Sequence, residues 1–194
     1  MSDNRTIILA SSSPRRRELL ALTGLKFSVD KSDYEEDMGS DLAPHALAKF
    51  LSLEKAKAVA GRHKHALVIS ADTFIVLKGK LLGKPHTEKE AMRMLRALNG
   101  RTHSVITGFT IMDTANNKRL SRSVETSVSF KRLTEKELFN YVRTKEPLDK
   151  AGAYAIQGLG SVIVKKIEGD YFNVIGLPLS ALTEGLKKFG VNVL

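Results

Sequence analysis

The sequence contains no cysteine. Disulfides, thiolate metal sites and a cysteine nucleophile are thereby excluded, and the absence accords with a reducing compartment. Tryptophan is also missing, which constrains neither fold nor function. Long apolar runs are lacking too: no window approaches the roughly 20 apolar residues that a membrane-spanning helix needs, so no membrane partner is expected. The Thr6–Ala10 run is too brief for a secretion signal and has no cleavage pattern after it, and we expect a cytoplasmic protein. Acidic residues are outnumbered, with 31 Lys and Arg against 21 Asp and Glu, leaving a formal charge of +10. That surplus attracts nucleic acids, acidic membranes and nucleotide phosphates alike without choosing among them. Part of it is scattered, at Lys118, Arg119, Lys165, Lys166, Lys187 and Lys188, in the manner of a solvated surface.

A chain of 194 residues suffices for one sizeable core but is short for two independent domains. We therefore expect one domain over 1–194, with two lobes. Thr6–Ala10 reads as a buried strand and Pro14–Leu22 as a short helix with Leu19, Leu20 and Leu22 toward the core. A short strand at Phe27–Val29 precedes an acidic stretch, Asp30–Asp41, in which Gly39 and Ser40 mark a loop. Ala46–Ala60 has helical spacing and Gly61 is its stop. Ala66–Ala71 is an apolar strand ending at Asp72, and Phe74–Leu77 continues extended into a hairpin turn at Lys78-Gly79. Thr87 is positioned to cap a helix through Leu98, closed by Asn99-Gly100. His103–Met112 and Arg122–Lys131 alternate apolar and polar residues as an antiparallel hairpin, so the sheet should be mixed. A helix from Thr134 to Arg143, a strand over Ser161–Ile167 and a last helix over Ser180–Phe189 complete the order.

The first feature that can carry chemistry is Ser11-Ser12-Ser13-Pro14-Arg15-Arg16-Arg17. Ser13 can cap the helix, and Pro14 suits its first position, where no backbone donor is missed. A helix start of this kind favours an anion through its N–H groups and dipole, and serine and arginine add donors suited to phosphate oxygens. The same residues are equally compatible with a capped surface helix in which Arg15 pairs with Glu18. Familiar phosphate loops are absent. Gly83-Lys84 is followed by Pro85 without the earlier glycine of a P-loop, and Gly158-Leu159-Gly160 lacks the third glycine of a dinucleotide fingerprint.

Asp72 places a carboxylate at the C-terminal end of its strand, where open α/β sheets bind ligands, although an Asp there can also simply start a turn. Glu35, Glu36 and Asp37 can supply a second carboxylate, the usual company of a phosphate-bound Mg²⁺. Lys55 and Lys84 are uninformative singly. Ser52-Leu53-Glu54-Lys55 matches a serine–lysine hydrolase pattern whose partner motifs are missing. His63 and His65 have no further ligands nearby in sequence and read as surface residues rather than a metal site.

Five segments taken together carry a resemblance: Ala10–Arg16, Ser70-Ala71-Asp72-Thr73, Leu82-Gly83-Lys84-Pro85, Asp149–Gly158 and Gly176-Leu177-Pro178. In order and spacing they resemble the Maf family, from about Ile7 to near the C-terminus. The resemblance implies an α/β fold, a twisted mixed sheet flanked by helices, with two lobes around a central cleft. It implies a nucleoside triphosphate pyrophosphatase that uses Mg²⁺ or Mn²⁺, in a family named for an effect on septum formation. Ser11, Arg15 and Arg16 would hold phosphates, and Lys55 and Lys84 would add positive charge. Asp72 would be the proton acceptor and, with Glu36, a metal ligand. The branch it is similar to acts on dTTP and UTP and carries Arg, Thr and Gln where Arg15, Thr73 and Gln157 stand here. We expect a buried Gln157 amide to face a uracil or thymine edge with one donor and one acceptor. Asn99-Gly100 departs from the family's usual Ser-Gly. The expected partner is a small nucleoside triphosphate; homodimers are implied, nucleic acid is not expected, and modified pyrimidine nucleotides are further substrates. The competing reading is a regulator of septum formation that binds nucleic acid or protein without catalysis.

Overall fold

A computed structural model of the chain describes residues 5–34 and 41–194. Among the described residues, seven strands form one mixed sheet flanked by helices, in the order β2-β1-β3-β5-β6-β7, with β4 paired to β3. The strands are β1 (Thr6–Leu9), β2 (Phe27–Val29), β3 (Ala66–Leu77), β4 (Lys80–Leu82), β5 (Thr102–Asp113), β6 (Arg119–Phe130) and β7 (Val164–Glu168). The α-helices are α1 (Pro14–Ala21), α2 (Pro44–Ala60), α3 (Glu88–Leu98), α4 (Glu135–Arg143), α5 (Tyr171–Ile175) and α6 (Leu179–Lys187). None is long and apolar enough to cross a membrane.

Pairing is parallel around β1 and antiparallel at the β3–β4 hairpin and between β6 and β7. β1 lies parallel to both β2 and β3, with Ile7 opposite Phe27 and Leu67. β3 and β4 are joined by Lys78-Gly79, whose φ values of 50° and 77° are those of a two-residue hairpin turn that matches strand twist. β6 and β7 are antiparallel.

By compactness the chain divides into two units. One comprises Met1–Asp72, Thr107–Val124 and Gly176–Leu194; the other comprises Thr73–Ile106 and Glu125–Ile175. The first has a core cluster of Ile8, Ala10, Ala56, Val59, Ala66, Val68 and Met112. There α2 presses directly on β5: a Cβ at Gly108 would lie 2.1 Å from the carbonyl oxygen of Ala48, so a side chain is excluded. Hydroxyls fasten the same contact. Ser52 Oγ lies 2.9 Å from Thr110 Oγ1, which lies 2.8 Å from Ser121 Oγ, and Ser70 Oγ donates to the Ser52 carbonyl at 2.5 Å. Ser52, Ser70 and Thr110 are fully buried, and these contacts satisfy hydroxyls that water cannot reach.

The second unit buries Leu95 and Leu98 of α3, Leu138 and Val142 of α4 and Val128 of β6 together. Each fully buried side chain of this size contributes roughly 1.5–3 kcal/mol of transfer free energy. Both helices start as the sequence indicates. Thr87 accepts from the Glu90 N–H, and Thr134 forms a reciprocal capping box with Glu137.

Several details differ from the sequence reading, among them Leu22, which is exposed after the end of α1 and not turned to the core. β3 does not end at Asp72 but runs on to Leu77, because its parallel pairing with β1 stops at Ile69 and its last residues pair with β4 instead. α2 starts two residues early, with Pro44 in its first turn. Residues Leu159–Val162 form a 3-10 turn rather than strand, since Gly158 O accepts from both the backbone and the hydroxyl of Ser161. α5 carried no periodic signal; Asp170 Oδ1 starts it by accepting from the N–H groups of Phe172 and Asn173.

Candidate active site

In the first unit the serine-arginine turn leads from β1 into α1. Ser13 is the N-cap and Pro14 the first helical residue, as their chemistry requires. Ser11 is buried, and its Oγ accepts from the Ser13 N–H at 3.1 Å. The Arg16 Nε donates to the carbonyl of Gly176 at 2.9 Å, which ties α1 to the Gly176-Leu177-Pro178 segment. Arg15 is half-buried and makes no ion pair with Glu18 among the described residues, so the surface-helix pairing is not formed. The helix start thus combines a positive dipole end with arginines on its first turn, an arrangement suited to phosphate.

Asp72 lies in the interior of β3 and is 5% exposed; Lys55, on α2, is 9% exposed. The Lys55 ammonium donates to Asp72 Oδ1 in a direct ion pair. Burying either charge alone is costly, so each holds the other in place. Lys55 follows Ser52 by one helical turn, and Asp72 follows Ser70 by one strand repeat. The hydroxyl contacts at Ser52 and Ser70 therefore set the approach of α2 to β3 that the ion pair needs. The carboxylate offers about four acceptor positions, of which Lys55 engages one.

The acidic stretch is anchored at its start. Arg62 donates to Asp30 through Nε and Nη2 and to Asp33 through Nη1, at 3.0, 2.8 and 2.9 Å. His63 Nε2 lies 2.8 Å from Asp30. The His63 hydrogen bond, with Arg62 beside it, holds the Asp30 carboxyl below its ordinary value. His63 is thus the partner of Asp30. Glu36, with Glu35 and Asp37, lies outside the described residues, and the metal role expected of it falls there too.

In the second unit, Thr73 is half-buried, and strand alternation sends its side chain to the face opposite Asp72. Lys84 is exposed in the turn after β4. That turn is joined to the Asp149–Gly158 segment by the Gly152 N–H, which donates to the Gly83 carbonyl at 2.9 Å. Gly152 has φ 66° and would meet Ile75 if it carried a Cβ. Gln157 is exposed, not buried as the sequence reading has it. The apolar run Ala153–Ile156 before it is buried, and the chain turns outward at Gly158, where φ is 83°.

His103, Phe130 and Tyr154 form a buried aromatic trio, edge to face at 4.7 to 5.4 Å between ring centres. His103 Nε2 lies 2.9 Å from the Tyr154 hydroxyl. Burial pushes the His103 imidazole down to about 4 and the Tyr154 hydroxyl upward. Neither residue was given a role from the sequence: Tyr154 lies inside the Asp149–Gly158 segment without one, and a lone alternating His on a strand has no distinctive signal.

No group of three His, Cys, Asp or Glu that could hold a metal ion occurs among the described residues. One buried carboxylate, in a unit that also carries a serine-arginine helix start, is the donor set of a hard cation shared between protein and phosphate, rather than of an all-protein cage. Asp72 fits such a cation.

The family model described as Maf-like protein matches residues 6–189. The chain belongs to the Maf family. Its relatives include a dTTP/UTP pyrophosphatase of Thermoanaerobacter sp. (strain X514), 52% identical over 190 residues, covering 97% of this chain and 99% of that protein. Proteins of the same name from Bacillus cereus (strain AH820) and Bacillus thuringiensis subsp. konkukian (strain 97-27) are each 47% identical over 189 residues, covering 97% of this chain and 98% of theirs. A Maf family member thus has two bonded features in the first unit, the Ser11–Arg16 turn and the buried Lys55–Asp72 pair.

Proposed function

We propose that this chain is a nucleoside triphosphate pyrophosphatase that hydrolyses dTTP and UTP, and modified pyrimidine nucleotides, to the monophosphate and pyrophosphate. The observation that carries the reading is the full-length similarity to dTTP/UTP pyrophosphatases at 47% and 52% identity. The buried Lys55–Asp72 pair beside it supports the chemistry. Water cleaves the α–β anhydride: the oxygen adds to phosphorus, the bridging P–O bond breaks, and pyrophosphate leaves. Phosphoryl transfer asks the protein for position and charge neutralisation above all. Asp72 accepts the proton of the attacking water, and Lys55 holds the carboxylate in its direction. Ser11, Arg15 and Arg16 bind the phosphates, and Lys84 adds a further positive charge. Thr73 and Gln157 face the pyrimidine; an exposed Gln157 amide becomes covered only when the base arrives. Asp72 and Glu36 would hold Mg²⁺ or Mn²⁺ together with phosphate oxygens, supplying charge neutralisation at the anhydride.

In this reading residues 1–194 act as one domain, in the cytoplasm, as a homodimer whose ligand is a free nucleotide and not nucleic acid. A filter-binding titration that found affinity falling steeply with salt would contradict the last point, because nucleic-acid binding releases counterions. The central test is pyrophosphate release from a panel of triphosphates by the wild type and by Asp72→Asn. The asparagine keeps the shape and loses the base, and activity should fall about 10²–10⁴-fold. Equal release by the two proteins would remove Asp72 as proton acceptor, and release of orthophosphate alone would displace the cleavage position.

A further inference from the structure

Glu146 lies three residues after the end of α4, at the start of a 3-10 turn over Glu146–Asp149, and belongs to none of the features discussed above. Its carboxylate accepts from three donors: Tyr141 Oη at 2.9 Å and the Gly160 N–H at 2.9 Å on Oε1, and the Leu159 N–H at 3.0 Å on Oε2. The Tyr141 hydroxyl accepts in turn from the Ala155 N–H at 3.2 Å. The two ends of the segment Ala155–Gly160 are therefore clamped by one linked pair of side chains. The clamp is tight as well as bonded. A Cβ at Gly160 would lie 2.1 Å from the Ala155 carbonyl oxygen and 2.6 Å from the Tyr141 hydroxyl. A Cβ at Gly158, where φ is 83°, would lie 2.6 Å from Glu146 Oε2. The residue carried at the exposed tip of this closed loop is Gln157.

A carboxylate that accepts from two backbone N–H groups and a hydroxyl makes charge-assisted bonds, roughly twice as strong as neutral ones. The local chain would need none of them merely to turn, since Gly158 and Ser161 already close the 3-10 turn. What they add is a fixed direction for Gln157. We propose that Glu146, through Tyr141 and the loop it closes, is a positioning residue for base selectivity: it holds the Gln157 amide where a pyrimidine edge can meet it. The inference rests on the reading of Gln157 as the base-facing residue. It assigns Glu146 no contact with substrate.

The test compares kcat and KM for dTTP and for GTP in the wild type, Glu146→Ala, Tyr141→Phe and Gln157→Ala, with melting temperature in parallel. Loss of a binding interaction shared by ground and transition states raises KM and leaves kcat in place. Glu146→Ala should raise KM for dTTP about tenfold and lower the dTTP-to-GTP ratio of kcat/KM by the same factor, the scale of one hydrogen bond to a charged or well-placed group. Tyr141→Phe, which keeps the ring, should shift the ratio in the same direction by less. Glu146→Gln retains one acceptor oxygen but turns an amide N–H toward a backbone donor, and should restore the ratio in part. A merely structural role would depress activity on both nucleotides equally, and an unchanged ratio in Glu146→Ala and Tyr141→Phe, with a lowered one in Gln157→Ala, overturns the inference alone. An unchanged ratio in Gln157→Ala removes the base reading and this inference with it. Should Glu146→Ala fail to fold, Tyr141→Phe and Glu146→Gln carry the same comparison.

Discussion

Replacing Gly108 with alanine should damage stability and catalysis together, through one displacement. The added Cβ would lie 2.1 Å from the Ala48 carbonyl oxygen, 2.2 Å from its carbon and 2.8 Å from the Lys49 nitrogen. These are backbone atoms of α2, so no rotamer change relieves the contact. Restoring an ordinary carbon–oxygen separation of about 3.3 Å requires α2 and β5 to part by about 1.2 Å. Overpacking of this kind typically costs about 1–3 kcal/mol, and here the upper end applies because the Ser52–Thr110 hydroxyl contact of 2.9 Å would be stretched past bonding distance as well. For a chain of this length each kcal/mol shifts the melting temperature by about 2–4 °C, so a fall of roughly 6–12 °C is expected at the upper end of that cost. Lys55 rides on the same helix, and its withdrawal from Asp72 should lower pyrophosphate release about tenfold or more at temperatures where the variant is folded, as misplacement by an ångström does in active sites generally. Circular dichroism melts and a pyrophosphate assay on the same preparation measure both. A melting temperature within 2 °C of wild type would refute the close approach of α2. A destabilised variant with full activity in the cold would refute the link from that approach to the Lys55–Asp72 pair.

Three further outcomes follow from the same geometry. Lys55→Met removes the ammonium bonded to the buried Asp72 carboxylate, and should cost up to about 3–5 kcal/mol in urea melts near neutral pH; a melt that matches the wild type would mean that the pair is not buried as described. His103 binds its proton less readily folded, at about 4, than its ordinary 6.5. The unfolded chain therefore takes up the proton first, and stability contributed by the neutral ring is complete above pH 6.5 and drains away as pH falls toward 4, by about 3 kcal/mol; a His103→Gln protein whose stability falls just as steeply over that interval would contradict this. Gly152→Ala forces a Cβ into a left-handed conformation at φ 66°, against Ile75, and should lower stability by about 1–2 kcal/mol, read from the urea midpoint.

Much of the fold was legible because its signals are local. Ser13-Pro14, Thr87 and Thr134 start helices by hydrogen bonds within one turn, and all three caps form. Lys78-Gly79 makes its hairpin by backbone conformation alone. The errors fall where tertiary pairing overrides local pattern. Nothing in Ser70-Ala71-Asp72-Thr73 says that β3 will exchange one partner for another and continue, because the exchange is made by β1 and β4, at the two ends of the same strand. A local miss stands beside this one: Ser161-Val162 looks extended, but Gly158 O, three residues back, accepts from both the N–H and the hydroxyl of Ser161.

The site divides along the same line. Ser11, Arg15 and Arg16 stood out as candidates because a helix start is a local event, and Asp72 because it ends an apolar run. Lys55 was uninformative by itself, and only folding gives it meaning: the glycine at position 108 admits α2, Ser52 and Ser70 fix its register, and the ammonium then lies on the carboxylate. Glu146 was invisible for the opposite reason. Its partners are backbone N–H groups, which every residue but proline possesses, so no spacing of side chains could announce them. A residue whose work is to hold main chain leaves no motif, and its role can be read only once the loop it closes, with Gln157 at the tip, is seen as a piece of geometry.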